Sequence, residues 1–224
     1  TVVLSLGAIF VFLIGKEILK NKNLALIFGT LYLMNPSLQL SNLYDFHAVT
    51  LATTLLLASF YSLIRKKYFL LIIFLILSGI TKEQVWIITS LFGFPLLFKK
   101  ETKLKILGAG ITIFSLLIFG YLGYLMWYVI PQNLDKQHFA LSYYSDFGNS
   151  PIQVLSNIIF SPQKILSTVF EVSRLEYLKQ IFLPLGFASF LSPLLLLFAI
   201  PDLLINLLSN NTQLRQVYYQ YTSN

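Results

Sequence analysis

The sequence predicts an all-α fold: a polytopic transmembrane helix bundle of about six spans plus a short helical hairpin, with amphipathic helices on the outer face. Three observations support this prediction. The chain is 56% hydrophobic and only 11% charged, whereas soluble domains carry about 25% charged residues. Its apolar runs approach the ~20 residues that a helix needs to cross a bilayer. Short basic clusters separate these runs, as is typical of the loops of membrane proteins.

Six segments have the length and composition of spanning helices. These segments are 2–19, 24–42, 46–64, 105–130, 173–190 and 193–209. The basic residues cluster at 16–22, 65–67 and 99–105. Because short positively charged loops stay in the cytoplasm, these clusters predict the cytoplasmic side and place residues 35–47 and 131–172 outside.

One apolar stretch, residues 68–98, is interrupted only by Lys82 and Glu83. Both of its ends are predicted to be cytoplasmic, so the chain must enter the membrane and return. Two arms of about 15 residues reach about 22 Å, which is less than the ~30 Å hydrocarbon core. The turn at residues 81–83 is therefore predicted to lie at or below the outer surface, where charges persist only inside protein or beside a water-filled cavity.

Residues 131–172 are predicted to form an extracytoplasmic amphipathic segment. Apolar residues recur there at three-to-four spacing, and two Ser-Pro pairs mark helix starts. We expect short helices along the membrane plane. Their apolar face comprises Ile152, Leu155, Ile159, Leu166 and Phe170. Without an internal repeat or a second domain, residues 1–224 are expected to form a single transmembrane domain, as a fragment of a longer chain.

Two pairs of polar residues near the outer face are candidates for a substrate site. Asp45 and His47 stand where an outer loop enters a helix, although Asp45 also fits a simple N-cap. Lys82 and Glu83 either pair with each other, or Lys82 holds a phosphate as a point charge while Glu83 orients it or binds a sugar hydroxyl. Asp-x-His alone does not complete a metal site.

A further candidate is Arg215, which precedes a tyrosine cluster that includes Tyr221. This combination suits an outer membrane interface or the binding of an anionic head group. Several other function classes are disfavoured. The chain has no cysteine and two histidines, and it lacks phosphate-binding glycine loops and hydrolase motifs. Its net charge of +7 belongs to the loop clusters and does not predict nucleic-acid binding.

The order of these pieces resembles the family of polytopic membrane proteins called domain of unknown function 2079. The resemblance covers essentially the whole chain, and four quoted stretches carry it: "LYDFHAVT", "SGITKEQVW", "SDFGNSPIQVLSNIIFSP" and "FLPLGFASFLSPLLLLFAIPDLLINLLSN". Two positions depart from the family pattern. Family members often have an acid where this chain has Gln84, and His-Tyr where it has Gln220 and Tyr221.

The family looks like the C-type glycosyltransferases, multi-pass enzymes of the plasma membrane that take a sugar from a polyprenyl-phosphate carrier. The resemblance implies that the lipid bilayer and a polyprenyl-phosphate-linked sugar are the partners. It implies that Lys82 meets the donor phosphate and that Asp45 and His47 line the same cleft. The catalytic carboxylate is expected upstream of Thr1, acting as general base. The cofactor is unassigned; a divalent metal in the full-length protein is the one candidate.

Two other functions fit the same sequence features. A broken hairpin with charges at depth is also typical of a transporter or flippase, and a non-catalytic membrane subunit is a third reading. A transporter is expected to show an inverted repeat, which the sequence lacks, so the comparison favours the transferase.

Overall fold

The computed structural model describes residues 2–43, 47–134 and 139–216. Within these ranges the regular structure is helical and no strand occurs, which confirms the all-α class. The α-helices are α1 (Val2–Leu19), α2 (Lys22–Met34), α3 (Pro36–Leu43), α4 (Val49–Ile64), α5 (Tyr68–Thr81), α6 (Val85–Leu91), α7 (Phe94–Leu97), α8 (Thr102–Tyr124), α9 (Ile130–Leu134), α10 (Pro151–Phe160), α11 (Pro162–Val169), α12 (Val172–Phe182), α13 (Pro193–Leu196) and α14 (Ile200–Leu208).

The chain divides into two compact units. The described part of the N-terminal unit is 2–43 and 47–119, and that of the C-terminal unit is 120–134 and 139–216. The expectation of a single transmembrane domain over residues 1–224 stays a prediction.

Two helices in the described ranges are long and apolar enough to cross a bilayer, namely Val2–Leu19 and the continuous helical run Thr102–Asn133. The first coincides with the predicted span 2–19. The second contains the predicted span 105–130 and includes a π-helical turn at Leu125–Val129. The other apolar helices of the N-terminal unit are shorter, because loops or turns interrupt the apolar runs.

Three of the six predicted spans are not single helices. The segment 24–42 is divided at Asn35, whose extended backbone (ψ 123°) ends α2 before Pro36. The prediction of one helix over 173–190 is wrong, because α12 ends at Phe182 and left-handed Gly186 and Phe187 follow Pro184. Residues 193–209 likewise contain two helices, Pro193–Leu196 and Ile200–Leu208.

Helices α1 and α4 run in parallel through the N-terminal unit. At one end the Thr54 hydroxyl donates to the Val3 carbonyl at 2.7 Å. At the other end Arg65 Nη1 lies 2.5 Å from Glu17 Oε1. This ion pair joins the first two basic clusters, 16–22 and 65–67, at the same end of the unit. The sequence predicted that these clusters share one membrane face, and the structure brings them together.

The stretch 68–98 forms the predicted helix–turn–helix. Helix α5 ends at Thr81 and α6 begins at Val85. Gly79 faces the indole of Trp86 so closely that a Cβ at position 79 would overlap the ring. The small residue therefore allows the two arms to pack tightly beside the turn.

Helix α6 continues away from the turn along α8. The Thr89 hydroxyl donates to Ser115 Oγ at 3.1 Å, and Thr112 donates to the Ser90 carbonyl at 3.0 Å. Further along, a Cβ at Gly108 would lie only 2.6 Å from the Gly93 carbonyl oxygen. Small and hydroxylated residues thus form this helix contact, as is common between apolar helices.

Replacing Gly108 by alanine is expected to destabilise the N-terminal unit by about 1–3 kcal/mol, because the added methyl group overlaps backbone that cannot rotate away. The matched control is Gly110→Ala on the same helix, where a Cβ meets nothing within 4 Å. There alanine is expected to be neutral, or to stabilise by up to about 1 kcal/mol through helix propensity. Thermal unfolding in detergent measures the stability of both variants. Equal unfolding midpoints for Gly108→Ala and Gly110→Ala would contradict the close packing of Gly108 against Gly93.

The C-terminal unit has its own apolar core. The buried residues Leu141, Phe147, Val154 and Leu208 form one cluster. Trp127, Tyr144, Ile158, Ile165, Val169 and Leu204 pack against it. Residues 150–172 contain α10 and α11, so the prediction of short helices there is confirmed. Ser150 caps α10 by accepting from the Gln153 amide at 3.3 Å, which is the expected role of serine before an N-terminal proline.

Candidate functional site

In the N-terminal unit, the structure brings the entry of α4 and the turn before α6 to the same place. Val49 and Val85 belong to one buried cluster with Ala52. Val49 follows His47 by two residues, and Val85 follows Lys82 by three. Two predicted site segments, 35 residues apart in sequence, therefore lie at one end of the same helix bundle, opposite the ion pair of Arg65.

The charged turn consists of Lys82, Glu83 and Gln84. All three residues are half-buried, and Lys82 has extended backbone at the end of α5 (φ −162°, ψ 146°). The Val85 amide donates to the Lys82 carbonyl at 3.1 Å, and the Trp86 amide donates to Glu83 at 3.3 Å. These bonds make the turn a short, ordered link between α5 and α6.

The entry of α4 is fixed by its threonine. Thr50 donates from its hydroxyl to the His47 carbonyl at 2.8 Å and from its amide at 3.1 Å. His47 itself is exposed. Asp45 and Tyr221 lie outside the described residues. The roles assigned to His47, Lys82 and Glu83 by sequence stay predictions.

The C-terminal unit holds a second polar cluster, centred on Arg174 of α12. This guanidinium is almost fully buried, with 3% of the residue exposed. Its Nε donates to the Leu207 carbonyl at 2.5 Å, and Nη1 pairs with Glu171. Since Leu207 lies in the last turn of α14, Arg174 supplies a donor and a positive charge to the carbonyl end of that helix.

Arg215 also binds a carbonyl at the carboxyl-terminal end of α14. Its Nη1 donates to the Ser209 carbonyl, and the residue is half-buried. About one turn before Ser209, Asn206 Nδ2 donates to the Tyr177 hydroxyl at 2.9 Å. Asp202, in the first turn of α14, is buried. The cluster therefore gathers two arginines, a tyrosine, an amide and a carboxylate around one short helix.

Burial is the largest cause of the pKa shifts in this cluster. It lowers the pKa of Arg174, and the neighbouring charge of Arg215 acts in the same direction. Burial also lowers the pKa of Arg215. It raises the pKa of Tyr177, with the Asp202 charge as a smaller contribution in the same direction. Two desolvated guanidiniums near each other favour a nearby negative group, and Glu171 provides one.

Burial also raises the pKa of Tyr144 to about 12, and its hydroxyl donates to the Ile205 carbonyl at 3.1 Å. Unfolded tyrosine ionises near pH 10. The contribution of the neutral Tyr144 side chain to folding stability is therefore complete below pH 10. It is lost as the pH rises towards 12, by at most about 3 kcal/mol.

We expect the C-terminal unit to lose stability between pH 10 and 12. The variant Tyr144→Phe is expected to reduce this loss, while Tyr143→Phe leaves it unchanged. Unfolding midpoints measured from pH 8 to 12 test this; a flat profile would contradict it.

Sequence reasoning singled out Arg215 but missed Arg174 and Tyr177. One signal was available: Arg174 is an ionisable residue within a segment predicted to span the membrane, which is by default a functional position. The contact of Arg174 with Leu207 joins residues far apart in sequence, so spacing could not reveal it.

Among the described residues, no three histidine or acidic side chains come together as metal ligands. Within 2–43, 47–134 and 139–216, the side chains therefore do not assemble a site for the divalent metal considered for the full-length protein.

The fold defines the class first: an all-α protein with apolar helices, two of them in the described ranges long enough to cross a bilayer. The comparison with protein families then identifies it further. The chain belongs to the family described as Predicted membrane protein (DUF2079), whose model matches residues 1–223. Neither the curated proteins nor the solved structures give a significant match.

Proposed function

We propose that the chain is part of an integral membrane glycosyltransferase of the C-type, which transfers a sugar from a polyprenyl-phosphate donor on the outer face of the plasma membrane. In this proposal the chain is multi-pass, and 2–19, 24–42, 46–64 and 105–130 cross the membrane. The hairpin 68–98 enters the membrane and returns.

One observation supports the proposal most strongly: the half-buried Lys82–Glu83 turn beside the entry of α4. Moving a charge to the bilayer centre costs roughly 2.5–3.5 kcal/mol on insertion scales. A charge held at depth is therefore retained where it faces protein, water or a ligand. A phosphate at the membrane boundary is a ligand that matches the point charge of an ammonium group.

The chemistry assigned to each group is as follows. The acceptor oxygen forms a bond to the anomeric carbon of the sugar, and the bond from that carbon to the phosphate oxygen breaks. A carboxylate acting as general base takes the acceptor proton. Lys82 stabilises the negative charge that develops on the leaving phosphate. Glu83 and His47 orient the lysine and the sugar hydroxyls.

Arg215 and Tyr221 remain proposed substrate contacts. One nitrogen of Arg215 is used by the Ser209 carbonyl, and a guanidinium has five N–H donors. Arg215 therefore retains donors for an anionic head group after completing the end of α14.

The proposal is tested with the full-length protein in lipid vesicles that contain radiolabelled polyprenyl-phosphate sugars. Sugar transfer releases unlabelled polyprenyl phosphate and moves the label to a water-soluble or protein acceptor. The expected result is label transfer that requires the added protein. Movement of intact labelled lipid between leaflets without transfer would instead identify a flippase and overturn the proposal.

A further inference from the structure

We propose that the outward face of α10 and α11 lies in the lipid interface, with the helices along the membrane surface. This surface, called here the α10–α11 face, comprises Ile152, Leu155, Ile159, Phe160, Leu166 and Phe170. The inference concerns how the C-terminal unit meets the bilayer, and it does not depend on the transferase proposal.

The α10–α11 face is apolar and exposed. Ile152, Leu155 and Ile159 follow one stripe of α10 and are 67, 60 and 67% exposed. On and just after α11, Leu166 and Phe170 are 55 and 66% exposed. Scattered exposed apolar residues are normal on proteins, but a contiguous stripe of large ones marks an interaction surface.

The opposite face of the same two helices is also apolar. Val154 and Ile158 of α10, with Ile165 and Val169 of α11, pack in the core of the C-terminal unit. The inner face therefore accounts for the folding of these helices. The outer stripe adds nothing to that core, so its apolar residues require an apolar environment outside the unit.

Charge distribution favours lipid as that environment. From Phe147 to Phe170 the chain has no acidic residue, and Lys164 is its one basic residue. Lys164 donates to the backbone carbonyl of Asp146 and lies 5.4 Å from the centre of the Phe147 ring. The surface consequently carries no carboxylate that anionic lipid head groups would repel.

The position of the face within its unit gives an independent reason. Trp127 belongs to Thr102–Asn133, a helix long enough to cross a bilayer. Trp127 packs against the cluster that contains Val154 of α10. The α10–α11 pair thus lies beside the end of a membrane-crossing segment, and tryptophan is enriched at that depth.

Length decides between crossing the membrane and lying on it. α10 has 10 residues and α11 has 8, and at 1.5 Å per residue neither exceeds about 15 Å. That is half of the ~30 Å hydrocarbon core. Short amphipathic helices of this kind bury their apolar face roughly 5–10 Å into the interface.

The absence of cysteine from the chain allows a direct test with single nitroxide labels. Leu155→Cys and Ile159→Cys are labelled in the protein reconstituted in vesicles of phosphatidylcholine and phosphatidylglycerol. Leu166→Cys repeats the measurement on α11. The control is Gln153→Cys, at an exposed polar position of α10 that lies at least about 100° around the helix from Ile152, Leu155 and Ile159. Collision rates with oxygen and with a water-soluble nickel complex report the depth of each label.

We expect oxygen collisions to exceed nickel collisions several-fold at positions 155, 159 and 166, with the opposite order at 153. Nickel access at all four positions would show that the face is in water and would overturn it. Spin–spin broadening at 155 and 159 would identify a second copy of the chain as the occupant. Shielding from both reagents would identify another protein surface. Either result would also overturn the inference.

Discussion

Replacing Lys82 by methionine in the full-length protein is expected to abolish sugar transfer while insertion and folding are preserved. Methionine keeps the length and the apolar contacts of the lysine stem but removes the charge that meets the donor phosphate. Loss of an electrostatic contact made in the transition state lowers the rate by about 10²–10³-fold. The measurement is initial transfer rate in vesicles at equal protein content, with thermal unfolding as the check on folding.

Two further variants make this result specific. Lys82→Arg is expected to keep part of the activity, because the planar guanidinium retains charge but presents a different geometry. The matched control is Lys66→Met at the opposite end of the N-terminal unit, where full activity is expected. If Lys82→Met transfers sugar at the normal rate, the phosphate role is wrong and the charged turn is structural.

Replacing Arg174 by alanine is expected to lower the stability of the C-terminal unit by much more than replacing the exposed Lys179. The change leaves the buried Leu207 carbonyl without its guanidinium donor, at a cost on the order of 1–3 kcal/mol. The buried stem of the arginine adds a loss of packing. For a chain of this size, the midpoint of thermal unfolding is expected to fall by roughly 4–10 °C.

The control for Arg174 lies on the same helix. Lys179 pairs with Glu176 at 3.6 Å, and both side chains are more than half exposed. Exposed pairs of this kind contribute between about 0 and 1 kcal/mol, so Lys179→Ala is expected to leave the midpoint nearly unchanged. Equal midpoints for the two alanine variants would show that Arg174 does not hold the end of α14.

The sequence predicted features that depend on local composition. Most of α1 follows from one apolar run, in which Ser5 is the one polar side chain before Lys16 and Glu17 near the end of the helix. The turn between α5 and α6 follows from two charges between two apolar arms. Both ends of 68–98 are predicted to lie on the same side of the membrane, so the chain has to reverse direction, and the charges mark the place. The starts of α10 and α11 follow from Ser-Pro pairs. The Ser150 side chain caps α10, whereas at the start of α11 the geometry of Pro162 acts without a side-chain cap from Ser161.

The predicted spans 173–190 and 24–42 are not single helices. Their apolar content was given more weight than the helix-breaking residues within them. In 173–190, Pro184 and Gly186 end the helix, and Arg174, Glu176 and Lys179 make its first turns polar. These helix-breaking and polar residues are visible in the sequence, but apolar residues outnumber them in the segment. Asn35 before Pro36 divided 24–42 for the same reason.

The candidate site was predictable only in part. The sequence singled out His47 and Lys82 from their residue types, and the buried cluster of Val49, Ala52 and Val85 joins their segments. The Arg174 cluster depends on contacts between α12 and α14 that no spacing rule describes. Such long-range contacts follow from tertiary packing, so they emerge only in the folded structure.

The central claim, that the charged turn binds the donor phosphate, is tested most directly by photo-crosslinking. A polyprenyl-phosphate sugar with a diazirine on the isoprene unit next to the phosphate is bound to the full-length protein and irradiated, and mass spectrometry locates the label. We expect labelling of the peptides that contain residues 78–86 and 47–52, with loss of this labelling in Lys82→Met but not in Lys66→Met. Labelling confined to other peptides, or unchanged by Lys82→Met, would contradict it.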